Sequence, residues 1–388
     1  MVKILDEVMK GIPSNIEISD AVFEGANIVL YTKDKDFFLD NKGVIKEIVD
    51  SLKKRVELRA DPSVVMDIED TQKIIKKTMP EDAGEINMLF DPQRSIVIIE
   101  SEKPGIAIGK GGDVLKEIKK KTLWTPIVRR VPPMRSKIIE NIRQVLYDLS
   151  DYRRKFLHKI GKRIYEGWTG SRRDEWVRVT CLGSAREVGR SCFLLQTPES
   201  KVLLDCGFNV AAPKDQAFPY LDAPEFKIEE LDAVVLCHSH IDHCGTLSFL
   251  YKMGFRGPTY CTEPCRDVTA LMCLDLIEIA EKEGNEAPYG VKDVKEFVKH
   301  TICLDYGEVS DITPDVRLTL YNAGHTLGSA LAHLHIGNGL HNFIYSLDGS
   351  TSVVVIDKDN NVKFEEIGEF VDKQFEKGEG YNITNGFA

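Results

Sequence analysis

Long apolar runs are missing from this chain. No stretch of its 388 residues approaches the roughly 20 consecutive apolar residues a membrane helix needs. The opening, MVKILDEVMKGIPSN, carries charge at Lys3, Asp6 and Glu7 where a secretory leader would be uninterrupted and apolar. No membrane contact is expected, and the expected location is the cytoplasm. Cysteine is absent before Cys181; all nine fall between Cys181 and Cys303, an odd number without a Cys-x-x-Cys pair. That spacing disfavours a disulfide framework and a four-sulfur zinc site and fits reduced thiols. Cys261 and Cys265 could bind metal, but two buried structural thiols are the expectation. Positive charge is scarce overall, with a net charge of -10, yet residues 101 to 175 hold 19 Lys plus Arg against 9 Asp plus Glu. Such a block is either a solvated helical face or a polyanion contact.

With 43% hydrophobic residues, the chain can bury two or three cores. NIVLYTKDKDFFLDNKGVIKEIVDSLKKRVELR, from Asn27, resembles SIVIIESEKPGIAIGKGGDVLKEIKKKTLWTPIVRR, from Ser95. Each reads as an apolar strand, a polar turn, a short apolar step, a loop, an amphipathic helix and a β-branched strand. A period of about 70 residues is too long for a solenoid and predicts two copies of a small α/β domain. In the second copy Gly109, Lys110, Gly111 and Gly112 sit between the apolar step and a helix opening at Asp113. Glycines let the backbone approach phosphates, a helix start offers free amides, and Lys110 adds positive charge. This stretch resembles the KH motif that clamps single-stranded RNA or DNA. The first copy has only Gly43 there, with Asp40 beside it, and is expected to keep the fold without the clamp. After Pro132-Pro133 a basic helical connector is predicted; its Arg153, Arg154, Lys155, Lys159, Lys162 and Arg163 extend an RNA track or form a solvated surface.

From Trp176 short strands alternate with glycine turns and helices, predicting a mixed sheet packed on helices. HSHIDHCG places His238, His240, Asp242 and His243 just after an apolar strand, donors that suit zinc. NAGHTLGSA places His325 after another strand, and Asp205 in LLDCG ends a third, where a carboxylate could orient an imidazole. His300, His333, His335 and His341 lack comparable context.

These motifs resemble the metallo-β-lactamase fold and specifically its β-CASP nucleic-acid hydrolases; with tandem KH units in front, the chain up to Tyr345 resembles the archaeal cleavage and polyadenylation specificity factor homologues. The resemblance implies two zinc ions, one held by His238, His240 and His325 and the other by Asp242 and His243, with Asp205 supporting. It also implies RNA hydrolysis by a metal-activated hydroxide, endonucleolytic or 5′-3′ exonucleolytic, in RNA 3′-end processing and transcription termination. The partners it suggests are single-stranded RNA, transcription machinery and a second copy of the full-length protein. Two other readings are a non-catalytic KH RNA-binding module and a small-molecule metallo-hydrolase, the latter leaving the repeat unexplained.

After HNFIY the family continues TGDF, whose aspartate bridges the metals, but this chain continues SLDGSTSVVVIDKDNN. The new segment resembles the opening hairpin of an intein, with Ser346 as the nucleophile attacking the Tyr345 carbonyl. The other reading is a divergent tail in which Asp348 still binds metal. On the first, the second zinc site is incomplete and the chain alone is not expected to hydrolyse RNA. The expected division is a degenerate KH domain (1–68), a KH domain (69–135), a connector (136–175), an incomplete metallo-β-lactamase αββα sandwich (176–345) and an intein start (346–388), in a chain of mixed α/β and α+β class.

Overall fold

A computed structural model describes residues 4–131, 136–167, 176–185, 187–213, 216–337, 341–345, 352–356 and 362–366. Ser346 and Asp348 lie outside these residues. Each repeat begins one helix and one strand before the segment that sequence similarity marks. Unit one runs α1 (Ile4–Lys10), β1 (Ile18–Glu24), β2 (Asn27–Thr32), α2 (Lys35–Leu39), α3 (Val44–Leu52) and β3 (Val56–Ala60). Unit two repeats the order with α4 (Ile68–Thr78), β4 (Ile86–Asp91), β5 (Ile96–Ser101), α5 (Pro104–Ile108), α6 (Asp113–Thr122) and β6 (Thr125–Arg130). In both, the central strand pairs antiparallel with the strand before it and parallel with the one reached across the helices. Buried on both faces, these central strands read as apolar runs rather than alternations. The short apolar step of the sequence is a single helical turn, α2 or α5. The longer helices bury a stripe at helical spacing, with Val114, Leu115 and Ile118 packing with Val97, Ile99 and Trp124.

The connector is two helices, α7 (Lys137–Asp148) and α8 (Ser150–Glu166), broken at Leu149. Phe156, Leu157, Ile160 and Ile164 wedge α8 against Ala26 of unit one and Ile302 of the domain that follows. Gly161 permits the crossing, since a Cβ there would lie 2.1 Å from the Phe23 Cβ and 2.5 Å from the Gly25 carbonyl oxygen. The basic residues divide. Arg153 donates to the Lys299 and Thr301 carbonyls, Arg154 pairs with Asp20, and Arg163 pairs with Asp232. These three guanidiniums anchor the connector to its neighbours and are neither a solvated face nor a free RNA track. Lys155, Lys159 and Lys162 remain exposed, Lys155 pairing with Asp151.

The remaining domain has two sheets. The first holds β7 (Arg178–Cys181), β8 (Phe193–Gln196), β9 (Lys201–Leu204), β10 (Ala233–Val235), β11 (Thr259–Cys261) and β12 (Thr301–Cys303), adjacent in that order and parallel from β9 onward. Helices α9 (Ile241–Cys244), α10 (Leu247–Lys252), α11 (Glu263–Lys282) and α12 (Val291–His300) lie between its strands in sequence. The second sheet is antiparallel: β13 (Val309–Asp311), β14 (Val316–Asn322), β15 (Ala330–Ile336) and β16 (His341–Tyr345). Period-two alternation assigns the layers. Leu203 and Val234 point into the helical core, while Val202, Leu204 and Val235 meet Leu318, Leu320, Ala332 and Leu334 of the second sheet. The result is a helix, sheet, sheet stack, to which the described residues add no helical layer on the outer face of the second sheet. Among the described residues, strands β17 (Ser352–Ile356) and β18 (Val362–Glu366) pair only with each other. Among the described residues no helix is long and apolar enough to cross a membrane.

Candidate metal centre and nucleic-acid loop

Parallel strands aim their C-terminal ends at one edge of the first sheet, and the candidate donors gather there. Strand β9 delivers Asp205, whose φ of 57° is the left-handed region that a non-glycine residue enters at a cost. The carboxylate is wholly buried and fully engaged: Oδ1 accepts the Cys237 amide at 2.8 Å, and Oδ2 accepts His243 Nδ1–H at 2.6 Å and the Tyr345 hydroxyl at 2.9 Å. With the Tyr345 proton committed, Ser191 donates to the Tyr345 oxygen at 2.9 Å. Strand β10 delivers His238, and one helical turn begun at His240 carries Asp242 and His243. Gly207 lies beneath that turn, where a Cβ would fall 1.6 Å from the Asp242 carbonyl oxygen. His325 comes from the loop between β14 and β15, shaped by Ser329 Oγ, which accepts the His325 and Thr326 amides at 3.1 and 3.0 Å. The Ala330 amide donates to the Cys237 carbonyl at 2.8 Å and ties that loop to the base of the His238 segment.

Two groups of donor atoms result, one from His238, His240 and His325 and the other from Asp205, His238 and His243, each with its atoms within 4.8 Å of one another. Asp242 Oδ2 lies 3.6 Å from His243 Nε2, at the margin of the second group. His325 Nε2 faces His240 Nδ1 at 3.2 Å, and His238 Nδ1 is buried with no hydrogen-bond partner. A buried imidazole nitrogen without a partner, turned among other imidazoles, is costly unless a cation fills the place. The donor set therefore fits a metal. Burial, then the charges of His243, His240 and His325, push His238 down to about 2, so it is a neutral donor. Burial also lowers His240, with His325 next. At His243 burial works against the charged form, but Asp205 outweighs it and raises the pKa.

All five residues named as metal donors, and Asp205, thus meet at one edge. Ser191 and the Tyr345 hydroxyl, which complete the surroundings of Asp205, are not part of the site the motifs mark out; the inward alternation of Phe343 and Tyr345 in HNFIY is the available signal. His300 is a core residue, its Nε2 2.8 Å from the Tyr152 hydroxyl. In unit two, Gly109, Gly111 and Gly112 adopt φ of 78°, 65° and 77°. A Cβ on Gly111 or Gly112 would meet nothing within 4 Å, so the loop is open on its outer side. Lys110 lies within it, directly before α6.

Residues 1–65 match the family described as transcription termination factor FttA, KH domain; residues 70–122 match the KH domain family, and 194–350 the metallo-beta-lactamase superfamily domain. The last match runs past Ser346 and includes Asp348, the residue on which the two readings of the tail divide. Transcription termination factor FttA of Methanothermobacter thermautotrophicus is 48% identical over 342 residues, covering 88% of this chain and 54% of that protein. The protein of the same name from Methanocaldococcus jannaschii is 48% identical over 342 residues, covering 88% and 53%, and that from Pyrococcus horikoshii 46% over 344, covering 87% and 52%. The chain spans about half the length of these relatives. Over nearly nine-tenths of its own length the chain is similar to the archaeal FttA proteins, and its segments match KH and metallo-beta-lactamase domain families.

Proposed function

We propose that the chain is the RNA-binding and metal-binding part of a zinc-dependent ribonuclease that acts in transcription termination. The observation that carries this reading is the pair of donor groups sharing His238, in a chain whose second KH unit presents an open glycine loop. His238, His240 and His325 hold one zinc ion; Asp242 and His243 contribute to a second, with Asp205 fixing the His243 tautomer and raising its basicity as a donor. When bound, the metals supply Lewis acidity and an activated water for attack on a phosphodiester. Gly109 to Gly112 receive the RNA backbone through amides and the Lys110 charge. Transcription machinery and a second copy of the protein are the proposed partners, and endonucleolytic and 5′-3′ exonucleolytic cutting are the proposed activities. The domain limits proposed from the sequence, 1–68, 69–135, 136–175, 176–345 and 346–388, stand with this reading.

The segment from Ser346 is read as the start of an intein; a β17–β18 hairpin that joins neither large sheet supports that reading. On it, the chain alone holds metal and RNA without cleaving. The test is a zinc-loaded chain mixed with end-labelled single-stranded RNA. Expected are stoichiometric zinc, RNA binding, no cleavage, and loss of zinc with retained RNA binding in His240→Ala. Unchanged zinc content in that variant sinks the metal assignment and leaves the non-catalytic KH module as the reading.

A further inference from the structure

The seam between unit two, the connector and the two-sheet domain is crowded with arginines. Arg129 of β6 reaches Glu263 and Arg143 of α7 reaches Asp267, each at 2.8 Å, both acids lying in the first turns of α11. Arg266, buried in the same helix, turns onto the same two carboxylates, at 2.6 Å from Asp267 and 3.2 Å from Glu263. Arg153 of α8 meets no carboxylate among the described residues and donates to two backbone carbonyls. Three guanidiniums thus share two carboxylates, with a fourth close by that meets none, and a nearby anion would relieve the excess.

Cys303 occupies that place. Its Sγ accepts from Arg266 Nη1 at 3.5 Å, and it is partly exposed. As the last residue of β12 it stands in register opposite Cys261, the buried last residue of the parallel strand β11, so both side chains leave the same face of the sheet. Paired strands run about 4.8 Å apart, inside the roughly 4.4 to 6.8 Å between Cα atoms that a disulfide spans. We propose that Cys303 is an oxidation site, a thiolate that a hydroperoxide converts to a sulfenic acid and that Cys261 then captures as a disulfide tying β11 to β12.

Each step balances. The thiolate sulfur attacks the terminal peroxide oxygen, the S–O bond forms, the O–O bond breaks, and the electron pair leaves on hydroxide or alkoxide, which takes up a proton. The Cys261 sulfur then attacks the sulfenic sulfur, the S–S bond forms, the S–O bond breaks, and the thiol proton departs with the hydroxyl as water. Two thiol equivalents are oxidised and one peroxide is reduced. The groups facing Cys303 favour the first step: the hydrogen bond with Cys261, then the Arg266 and Arg153 charges, outweigh burial and Glu263 and bring the thiol down to about 7. The disulfide removes the negative charge, leaving Arg266 and Arg153 without it, so oxidation acts on the seam that joins the KH units to the metal-binding domain.

The test uses the whole folded chain. Alkylation of Cys303 by iodoacetamide, followed peptide by peptide by mass spectrometry, is expected to show a pH midpoint about one and a half units below that of the same cysteine in the urea-unfolded chain, where a free thiol titrates near 8.5. A small excess of hydrogen peroxide is expected to yield a non-reduced peptide linking Cys261 and Cys303, and in Cys261→Ser a dimedone adduct on Cys303 instead. Equal midpoints in folded and unfolded chain, or a peroxide-induced link from Cys261 to Cys265 in place of Cys303, overturn the proposal.

Discussion

Between the short helix and the long one, unit two carries Gly109-Lys110-Gly111-Gly112 and unit one carries Asp40-Asn41-Lys42-Gly43. The helices around the two loops superimpose in order, yet the amides are treated differently. In unit one the Asp40 carboxylate accepts the Lys42 amide at 3.0 Å and the Asn41 side chain accepts the Gly43 amide at 3.2 Å, so the loop satisfies itself. In unit two the three glycines bring no side-chain acceptor, the Gly112 amide turns back onto the Gly109 carbonyl at 3.2 Å, and the space outside Gly111 and Gly112 is open. Unit one is instead committed to the interior of the molecule. Its Glu24, buried, accepts Arg59 at 2.7 Å and Arg94 of unit two at 2.9 Å. One topology thus serves twice, as a brace where the loop is closed and as a presented surface where it is open.

The largest expected effect tests the brace. Glu24→Gln removes the carboxylate shared by the buried Arg59 and the half-buried Arg94, which keep only Glu57 and Asp91 as acidic partners among the described residues, and is expected to cost about 3 kcal/mol of stability in urea unfolding, the lower end for breaking a buried pair. Burial alone would raise the Glu24 pKa, but Arg94 and then Arg59 outweigh it and hold it down to about 2. A carboxyl held low in the folded state contributes its full stability above the ordinary carboxylate range and loses it as pH falls toward 2. The wild-type chain is therefore expected to lose stability between about pH 4.5 and 2, and Glu24→Gln to lose less over that window. A variant as stable as the parent would break the comparison, since unit one would then not be a brace.

The next effect tests the open loop. Gly112→Asp places a carboxylate where phosphate is expected and forces a side chain onto a φ of 77°. Single-stranded RNA affinity is expected to fall at least about tenfold in a filter-binding or fluorescence titration, close to 1.4 kcal/mol, with thermal stability changed far less than by Glu24→Gln.

The period of about 70 residues made both units legible, because each copy repeats the same apolar pattern and glycine is demanded wherever a left-handed turn approaches a ligand. His238, His240, Asp242, His243 and His325 were legible for a related reason: imidazoles in loops after apolar strands have few structural uses. The brace was not. Glu24 and Arg59 lie on two strands and Arg94 in the turn between β4 and β5, separated by tens of residues, and nothing local distinguishes a buried carboxylate from a solvated one. The same holds for Arg153 and Arg163, which read as part of a basic helix and serve as buried or half-buried anchors. The Tyr345 hydroxyl was not legible either, because its partner Asp205 lies 140 residues away and HNFIY by itself reads only as a half-buried strand.

Lys110→Ala isolates charge from shape in the open loop. The glycine geometry is untouched, so binding persists, weakened about threefold to fivefold at low salt. The slope of log affinity against log salt is expected to shrink by about 0.7, the value for one phosphate contact on a single strand. An unchanged slope would place the lysine away from the RNA backbone.

The smallest effect belongs to Asp40→Ala in unit one, and it sharpens the comparison by its size. Removing the carboxylate frees the Lys42 amide and subtracts a negative charge, two changes that would favour RNA if the loop were merely quenched. Asp34 and Asp36 remain on the same side, with Asp34 Oδ1 engaged by the Phe37 amide as the cap of α2, and Asn41 still holds the Gly43 amide. Lys42, at a φ of 51°, stands where unit two has a glycine, so its side chain keeps a backbone phosphate from the close approach allowed beside Gly111. RNA affinity should therefore change by less than about 0.3 kcal/mol, within twofold. A gain of tenfold would mean that a single carboxylate, rather than the whole loop geometry, separates the brace from the clamp.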